Sequence, residues 1–541
     1  MLTRRSPAQL AAFAILAALC LWFVLAGLWF VPRLGIQTDE VYFTGGLDPP
    51  LVYRYAVRLF HRSVPVMLLS YLGATKTWFY AALFRVWEPS LAALRVPMLL
   101  GGALSAVLLF LLLRRIGGWR AALAGAALVA TDPVYLLVTL WGPTVFHHLL
   151  LLAALLLFLR FHEKGSPRAL AAACFCLGLG LWDKALFLWV LAGMAAGALA
   201  AFPHAVGRAF TGRHAAVAAT ALLAGALPLV LFNIRFRGET LRGNSSFTLG
   251  EIASKAANMR YTMDGSLLFG WMVAEGGPAR PAAPADALER VVCGVSDAFG
   301  RRDQSLAPWA YAAALLLLPL VWRTPARATI VFGAVFCAVT WFQMAVTRNA
   351  GAGAHHTILL WPVPHMAAAA ALAEASRRLP RAGKPALAAA VALVAGSQLL
   401  VANEYAAQTV RYGPGAGFTD AIFPLAGELE RLRARPVFLA DWGMFDSLRF
   451  LGRGSLPLRI ATDPLAKPAA DEDDRRKFRE WLAEPDPLFV GHVPSAEVLP
   501  EARARLRTLA AQCGWEPEAP RIIADRRGKP VFEVYRFRAA R

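Results

Sequence analysis

Charged side chains are scarce in this sequence. Of its 541 residues, only 17% are Asp, Glu, Lys or Arg, whereas 57% are apolar, and about a quarter of an average soluble domain is charged. This scarcity excludes an ordinary soluble protein. Apolar stretches recur along the chain, and each is about twenty residues long, which is enough to cross a bilayer. The sequence therefore predicts a polytopic α-helical membrane protein.

Acidic residues are fewer than basic ones, and neither kind is evenly spread. The 36 acids and 56 bases give a net charge of +20, which in a soluble chain would suggest binding to nucleic acid. Residues 1–402 carry 34 bases and 16 acids, whereas residues 403–541 carry 22 bases and 20 acids. The density of charge therefore more than doubles, and this predicts a membrane domain over 1–402 and a soluble domain over 403–541.

Cysteines are few and phosphate-binding loops are absent from the sequence. The six cysteines have no spacing that indicates a disulfide, and Cys174 and Cys176 point to different faces of an apolar helix. Without a Gly-rich phosphate loop, a P-loop nucleotide site is not expected. The first apolar run, ending near Val31, is too long for a typical signal-peptide core, so we expect an uncleaved anchor.

Eleven hydrophobic spans are predicted. The short fifth span is joined to the sixth through Trp182, Asp183 and Lys184, and we interpret Asp183 and Lys184 as an interfacial turn. These two spans could instead form one bent hairpin or one long helix. The spans cover about 10–31, 94–113, 121–139, 145–160, 169–182, 185–202, 215–232, 308–322, 328–346, 357–374 and 385–402.

Basic residues concentrate on one side of these spans. If all eleven spans cross, six regions share a side and hold sixteen bases but only two acids, Glu163 and Glu374. The positive-inside rule makes this side cytoplasmic. The outer side then receives a first loop over about 32–93, a second loop over about 233–307, and the C-terminal domain. The sixteen bases are Arg4, Arg5, Arg114, Arg115, Arg120, Arg160, Lys164, Arg168, Arg208, Arg213, Arg323, Arg327, Arg377, Arg378, Arg381 and Lys384.

The C-terminal domain alternates short apolar stretches with charged amphipathic ones. This alternation predicts a small α/β domain, to which we assign no chemistry of its own. The expected strands are 436–440, 488–491, 521–524 and 530–537, and the expected helices are 420–433, 471–483 and 500–513.

An acidic pair follows the first span. Asp39 and Glu40 come directly after Thr38, and two adjacent carboxylates beside a membrane can supply a general base, a metal ligand, or both. The alternative is a solvated acidic turn at the end of a helix.

A basic and aromatic segment lies in the same loop. Lys76 stands among Tyr71, Trp78 and Tyr80, as expected for an ammonium group that binds a lipid phosphate at headgroup depth. Arg54, Arg58 and Arg62 recur every four residues and would form one basic stripe if the segment is helical. An interfacial helix with snorkelling cations is the alternative interpretation.

Taken in order, these motifs resemble those of the GT-C glycosyltransferases. The resemblance rests on the Asp-Glu pair, on Tyr71-x-Gly73-x-x-Lys76, on Leu94-Arg-Val-Pro97 entering the second span, and on Arg114-Arg115 leaving it. It is nearest to bacterial members of the family 39 type, which are relatives of protein O-mannosyltransferases and of the lipid A aminoarabinose transferase. The layout corresponds over about 10–402, and the specific motifs lie within about 35–120.

The resemblance implies transfer of a hexose or pentose from a polyprenyl-phosphate carrier to a glycan, lipid or protein acceptor. The reaction would take place at the outer face of a bacterial cytoplasmic membrane. It implies that Asp39 is the base that deprotonates the acceptor hydroxyl and that Glu40 supports it. Lys76 would bind the carrier phosphate, with Arg58 and Tyr71 as further phosphate ligands. No cofactor follows from the sequence, although a divalent metal is compatible with it.

Further polar residues are candidates for substrate binding. An ionisable residue inside a span is costly and suggests function, although a hydrogen-bonded interior histidine is the simpler interpretation. Adjacent histidines on a helix diverge by about 100°, so one residue of each pair could share a metal ion. The candidates are Asp132, Trp141, His147, His148, His355 and His356.

Two other classes of function fit the same sequence. A lipid or solute transporter would line a pathway with Asp39, Lys76 and the histidines, and a non-catalytic relative would only bind polyprenyl lipid. Transporters more often carry acids or broken helices near the bilayer midplane. Most acids of this membrane domain are instead expected at the outer surface, which favours an enzyme.

Overall fold

The computed structural model describes residues 6–47, 51–209, 211–276, 281–348, 350–432 and 435–540, so the predicted cytoplasmic Arg4 and Arg5 lie outside the described residues. The chain divides into two compact units. The membrane unit comprises Met1–Val31, Tyr53–Leu268 and Arg290–Ala407, and the α/β unit comprises Pro32–Val52, Phe269–Glu289 and Gln408–Arg541.

Helices dominate the first three quarters of the chain. In chain order they are α1 (Pro7–Phe30), α2 (Thr38–Val41), α3 (Thr75–Leu83), α4 (Leu91–Ala130), α5 (Pro133–Trp141), α6 (Val145–Lys164), α7 (Pro167–Asp183), α8 (Phe187–Ala201), α9 (Pro203–Ala209), α10 (Gly212–Arg235), α11 (Glu239–Asn244), α12 (Ile252–Asp264), α13 (Ala287–Phe299), α14 (Ala307–Leu316), α15 (Leu318–Val321), α16 (Ala326–Val346), α17 (Ala354–Thr357), α18 (Val363–Arg377) and α19 (Gly383–Tyr412).

Several of these helices are long and apolar enough to cross a membrane, and the predicted membrane-spanning helical fold is confirmed. Among the described residues, α1, α4, α6, α10, α16 and α19 meet this criterion, and the segments Ala354–Leu360 and Val363–Arg377, bent by 41°, add a seventh if they form one span. The other predicted spans lie on shorter helices, such as α7 with 17 residues and α8 with 15 residues.

Two pairs of predicted spans differ from expectation in how they are joined. The second span and the start of the third share α4, which has 40 residues and is interrupted at Gly118, where φ is +74°. A positive φ favours glycine, so the sequence itself marks this kink. Between the fifth and sixth spans, Lys184 has extended backbone (φ −156°, ψ 121°) and ends α7. The alternative of one long helix is therefore wrong.

A β-hairpin follows the first outer segment. Strands β1 (Tyr55–Leu59) and β2 (Arg62–Met67) pair antiparallel, and Phe60 and His61 form the turn with positive φ angles. The expected basic helical stripe of Arg54, Arg58 and Arg62 is therefore wrong. A spacing of four residues fits a helix, but the β-branched residues and Pro65 around it favour extended backbone.

The α/β unit contains a five-stranded sheet of order β4-β3-β5-β8-β7, in which β3 is parallel to β4 and β5 whereas β8 is antiparallel to β5 and β7. A separate ribbon pairs β6 with β9. The strands are β3 (Val437–Leu439), β4 (Leu458–Ile460), β5 (Leu488–His492), β6 (Trp515–Pro517), β7 (Arg521–Ala524), β8 (Pro530–Tyr535) and β9 (Phe537–Ala539); the helices are α20 (Ile422–Arg431), α21 (Phe445–Leu451), α22 (Glu472–Leu482) and α23 (Ala502–Gln512).

Alternating side chains on the central strands build a core on each face of this sheet. Val437 and Leu439 pack with α20 and α21 on one face, whereas Phe438 packs with α22 and α23 on the other. The predicted α/β domain is thereby confirmed. Strands β4 and β6 and helix α21 were not anticipated, because each is short and carries little periodic signal.

Segments distant in sequence complete the α/β unit. The Gly35 amide donates to the Phe418 carbonyl at 2.7 Å, and a Cβ on Gly35 would lie 1.9 Å from the carbonyl oxygen of Thr419. Only glycine permits this approach. The acidic pair is thus carried by a segment that belongs to the α/β unit, and helix α19 runs through the expected boundary between residues 402 and 403.

Candidate active site

Asp39 and Glu40 lie in the one-turn helix α2. The Gln37 side chain accepts a hydrogen bond from the Asp39 amide at 2.6 Å and caps this turn. Glu40 is buried, with 4% of its surface exposed, whereas Asp39 is only partly buried. Of the two carboxylates, Asp39 is therefore the one that a substrate can reach.

The remainder of the α/β unit holds the residues that directly precede Asp39. The Thr38 hydroxyl donates to the Gly443 carbonyl at 2.7 Å, and the Ser447 hydroxyl donates to the Ile36 carbonyl at 3.1 Å. Gly443 lies in the connection between β3 and α21, and Ser447 lies in α21. The candidate base is thus supported by residues about 400 positions away in the sequence.

A third carboxylate, that of Asp446, belongs to the same surroundings. Burial raises the pKa of Asp446 to about 6; the guanidinium of Arg449 opposes this shift and the negative charge of Asp39 adds to it. Arg449 is also buried, and one of its terminal nitrogens lies 3.4 Å from the Asp446 carboxylate. Sequence reasoning missed both residues.

Lys76 is the centre of a second polar cluster, in the membrane unit. Only 1% of its surface is exposed, its ammonium group donates to the Pro143 carbonyl at 2.8 Å, and it lies 5.8 Å from the centre of the Phe146 ring. Burial lowers the pKa of Lys76 to about 8, and the negative charge of Asp183 opposes this shift. A buried ammonium group of this kind is a potential phosphate ligand.

Asp183 is the acid that accompanies Lys76. It is fully buried at the end of α7, accepts a hydrogen bond from the Thr75 hydroxyl, and has a carboxylate oxygen 3.1 Å from His147 Nε2. The interpretation of Asp183 as part of an interfacial turn gave it no partners, whereas the structure places it in a buried polar cluster. Because its partners come from α3 and α6, no local pattern identifies the cluster.

The spacing of the Tyr71-x-Gly73-x-x-Lys76 motif has a structural reason. The Tyr71 carbonyl accepts from the Ala185 amide at 2.8 Å, and the Gly73 amide donates to the Asp183 carbonyl at 3.1 Å. The segment therefore runs beside the end of α7, and α3 begins two residues later. This arrangement brings Lys76 into the neighbourhood of Asp183.

Arg58 lies in different surroundings from Lys76. It is exposed on β1, where it pairs in register with Ser63. The neighbouring Arg54 forms an ion pair with Glu239 at 2.9 Å. A role for Arg58 in binding phosphate stays a prediction.

Asp132 accepts hydrogen bonds in the interior of the membrane unit. Its Oδ2 accepts from Trp361 Nε1 at 2.8 Å and lies 3.0 Å from His365 Nε2, whereas its Oδ1 accepts from the Tyr135 amide at 2.9 Å. This network connects α5 with α18, which supports a structural role.

The remaining candidates are buried aromatic and imidazole groups. His148 Nε2 lies 2.8 Å from the Ile358 carbonyl oxygen, and the ring of His355 lies 5.0 Å from Trp141 and 4.0 Å from His356. The imidazole Nδ1 atoms of His355 and His356 are buried without hydrogen-bond partners. Over the described ranges, no three His, Cys, Asp or Glu side chains are grouped so that they could hold a metal ion.

Comparison with known proteins gives matches to one family and to several structures. Residues 74–232 match the family described as dolichyl-phosphate-mannose-protein mannosyltransferase. No curated protein matches the sequence significantly. Among solved structures, ArnT from Cupriavidus metallidurans bound to undecaprenyl phosphate has 12% identity and a TM-score of 0.58, with 96% of this chain and 97% of that chain covered.

Two further structures have the same architecture. The apo state of the same ArnT has 12% identity and a TM-score of 0.57, and the match covers 98% of both chains. The archaeal oligosaccharyltransferase AglB from Archaeoglobus fulgidus, in complex with an inhibitory peptide and a dolichol-phosphate, has 13% identity and a TM-score of 0.50, with 93% of this chain and 71% of that chain covered. The structural matches show that this chain has the membrane-spanning GT-C fold, and the mannosyltransferase family matches residues 74–232 of it.

Proposed function

We propose that this protein transfers a sugar from a polyprenyl-phosphate donor to a hydroxyl-bearing acceptor, by a single inverting displacement at the outer face of the cytoplasmic membrane. The observation that carries the proposal is the ArnT fold over 96% of the chain, in a structure that contains undecaprenyl phosphate. The match to mannosyltransferases over residues 74–232 includes Lys76, Asp183 and His147, and it supports the same class of donor.

Asp39 acts as the general base. Its carboxylate accepts the proton of the acceptor hydroxyl while the acceptor oxygen attacks the anomeric carbon, and the bond between that carbon and the phosphate oxygen breaks. Polyprenyl phosphate leaves with the electron pair of that bond. The partial exposure of Asp39 suits this role, and the burial of Glu40 suits a supporting role.

Lys76 stabilises the phosphate that leaves. Negative charge grows on the phosphate oxygens as the glycosidic bond breaks, and a desolvated ammonium group stabilises that charge more strongly than one in water. Asp183 holds the ammonium group charged in the absence of donor, and Thr75 and His147 position Asp183. Arg58 and Tyr71 are further ligands of the phosphate in this proposal.

Sugar recognition is assigned to the buried groups of the membrane unit. The unpartnered Nδ1 atoms of His355 and His356 support this assignment, because a buried nitrogen without a partner favours a ligand hydroxyl. Trp141, which meets the His355 ring edge to face, adds an apolar surface of the kind that sugars contact. In this proposal, His147, His148 and Asp132 have a supporting role around these groups.

The location of the reaction follows from the distribution of basic residues. Sixteen bases in six alternate regions favour a cytoplasmic position for those regions and for the N-terminus. The first outer loop, the loop over about 233–307 and the C-terminal domain over 403–541 then lie in the periplasm or outside the cell. The membrane domain over 1–402 carries the donor.

The experiment that tests this proposal is sugar transfer in purified membranes supplied with radiolabelled polyprenyl-phosphate sugar. We expect transfer by the wild-type protein and none by Asp39→Asn, while binding of polyprenyl phosphate to the variant is unchanged. Asp463→Asn is the matched control, since Asp463 is an exposed carboxylate of the α/β unit. Normal transfer by a folded Asp39→Asn variant would exclude Asp39 as the base. Lipid movement without any transfer would support a transporter instead.

A further inference from the structure

The segment that carries Asp39 is part of the α/β unit, although in sequence it directly follows α1. Within that unit, Gly35 approaches the chain at Phe418 and Thr419 so closely that no side chain fits. Arg33 adds an ion pair with Glu289 at 3.0 Å. The position of α2 is therefore determined by residues of the α/β unit that lie far away in the sequence.

Two side-chain hydrogen bonds hold the segment directly before Asp39, and we call them the clamp. In the clamp, the Thr38 hydroxyl donates to the Gly443 carbonyl at 2.7 Å, and the Ser447 hydroxyl donates to the Ile36 carbonyl at 3.1 Å. Ser447 is fully buried and Thr38 is 7% exposed. Water therefore competes little for these bonds, and their loss would cost the buried Ile36 carbonyl and the partly buried Gly443 carbonyl a hydrogen-bond donor.

The connection that presents Gly443 is itself rigidly held. Asp441 accepts hydrogen bonds from the backbone amides of Trp442, Val498 and Leu499 at 2.7, 3.0 and 2.7 Å, and its carboxylate lies 2.7 Å from His492 Nδ1. His492 ends β5, the strand beside β3. The connection that contains Gly443 is thus held at the C-terminal ends of the inner strands β3 and β5.

We infer that the α/β unit positions the general base, and that Thr38 and Ser447 are the positioning residues through which it acts. This inference rests on the proposed function, because it takes Asp39 as the base. A carboxylate on a single helical turn has little intrinsic order, and a general base must lie within hydrogen-bonding reach of the proton that it removes. The clamp supplies the order that α2 lacks.

The test compares Thr38→Val, Ser447→Ala and the conservative Thr38→Ser in sugar transfer. We expect the first two to lower kcat by about tenfold or more, because a misplacement near 1 Å is costly to catalysis, with KM for the donor unchanged. Thr38→Ser retains the hydroxyl and should restore kcat. Thr508→Val is the control, since the Thr508 hydroxyl only donates within α23, to the Ala504 carbonyl.

Amide hydrogen exchange over residues 35–44 gives a second measurement that does not depend on activity. Faster exchange in Thr38→Val and in Ser447→Ala, but not in Thr508→Val, would support the clamp. Unchanged kcat together with unchanged exchange in both variants would overturn it. So would an equal effect on kcat and on donor KM that Thr38→Ser does not restore, because that pattern indicates general loss of structure.

The two proposals can fail separately. If Asp39→Asn retains full transfer, the assignment of the base fails and this inference fails with it. If Asp39→Asn is inactive but Thr38→Val and Ser447→Ala keep the wild-type kcat, the base stands and only the positioning role is wrong.

Discussion

Gly73 lies directly against the backbone of Trp182: a Cβ on Gly73 would be 1.8 Å from the Trp182 carbonyl oxygen. The next residue of α7, Asp183, accepts from the Gly73 amide through its own carbonyl. This close approach of two backbones places the start of α3 beside the buried end of α7. The position of Lys76 therefore depends on the absence of a side chain three residues earlier.

Gly73→Ala should displace the segment before α3 and so weaken the binding of polyprenyl phosphate. An added methyl group cannot be accommodated, because the atom it meets belongs to the backbone and cannot rotate away. We expect at least about a tenfold loss of affinity, measured by titration of the protein in detergent with polyprenyl phosphate. Gly396→Ala in α19 is the control, since no atom lies within 4 Å of its added Cβ. Equal affinities for all three proteins would contradict the explanation.

Removal of the Lys76 charge should weaken donor binding in a pH-dependent way. Burial lowers the pKa of Lys76 to about 8, so the wild-type ammonium is charged at pH 6.5 and loses its proton as the pH rises through about 8. We expect affinity for polyprenyl phosphate to fall between pH 7 and pH 9. Lys76→Met should be about 10- to 100-fold weaker at pH 6.5, the cost of one charged hydrogen bond.

The pH profile of the Lys76→Met variant supplies the control for that measurement. If Lys76 is responsible, the slope between pH 7 and pH 9 disappears in the variant. Lys164→Met, which removes an exposed cation from the end of α6, should retain both the affinity and the slope. Persistence of the slope in Lys76→Met would mean that another group titrates.

The helices of this fold could be predicted from sequence because burial of an apolar run is a local property. The ends of the helices were harder to predict. The second span and the start of the third belong to one helix, α4, which is interrupted at Gly118. The hairpin at Arg58 shows the opposite difficulty. Its basic residues follow a helical spacing, but the β-branched residues and Pro65 around them favour strands.

The charged centres of the site were visible in the sequence, whereas their partners were not. Asp39 and Lys76 could be predicted as site residues because charged side chains are scarce in the membrane domain and both lie in its first outer loop. Asp183 is 108 residues from Thr75, and Ser447 is 411 residues from Ile36. Such pairs are defined only by tertiary packing, and a single sequence contains no record of it.

Asp446→Asn should stabilise the α/β unit at high pH. Burial raises the pKa of Asp446 to about 6, above the value near 3.9 of a carboxyl group in an unfolded chain. Its contribution to stability is therefore present below about pH 4 and lost as the pH rises through about 6. At pH 8 the charged form destabilises the fold by up to about 3 kcal/mol, a cost that asparagine does not have.

Thermal unfolding at pH 5 and pH 8 checks this expectation. The midpoint for Asp446→Asn should exceed that of the wild type at pH 8 and approach it at pH 5. Asp463→Asn, at an exposed position, should follow the wild type at both values. If Asp446→Asn is instead less stable at pH 8, the ion pair with Arg449 outweighs the cost of burial.

Asp132→Asn should reduce stability while leaving the donor KM unchanged, because the observed partners of Asp132 are structural. One carboxylate oxygen accepts from Trp361 and lies near His365, and the other caps α5. An amide nitrogen at either position faces a donor, so at least one buried hydrogen bond is lost, at about 1–3 kcal/mol. The unfolding midpoint in detergent measures this loss, and Glu163→Gln, which alters an exposed ion pair with Arg115, should leave the midpoint unchanged. A raised donor KM with a normal midpoint would instead place Asp132 among the substrate ligands.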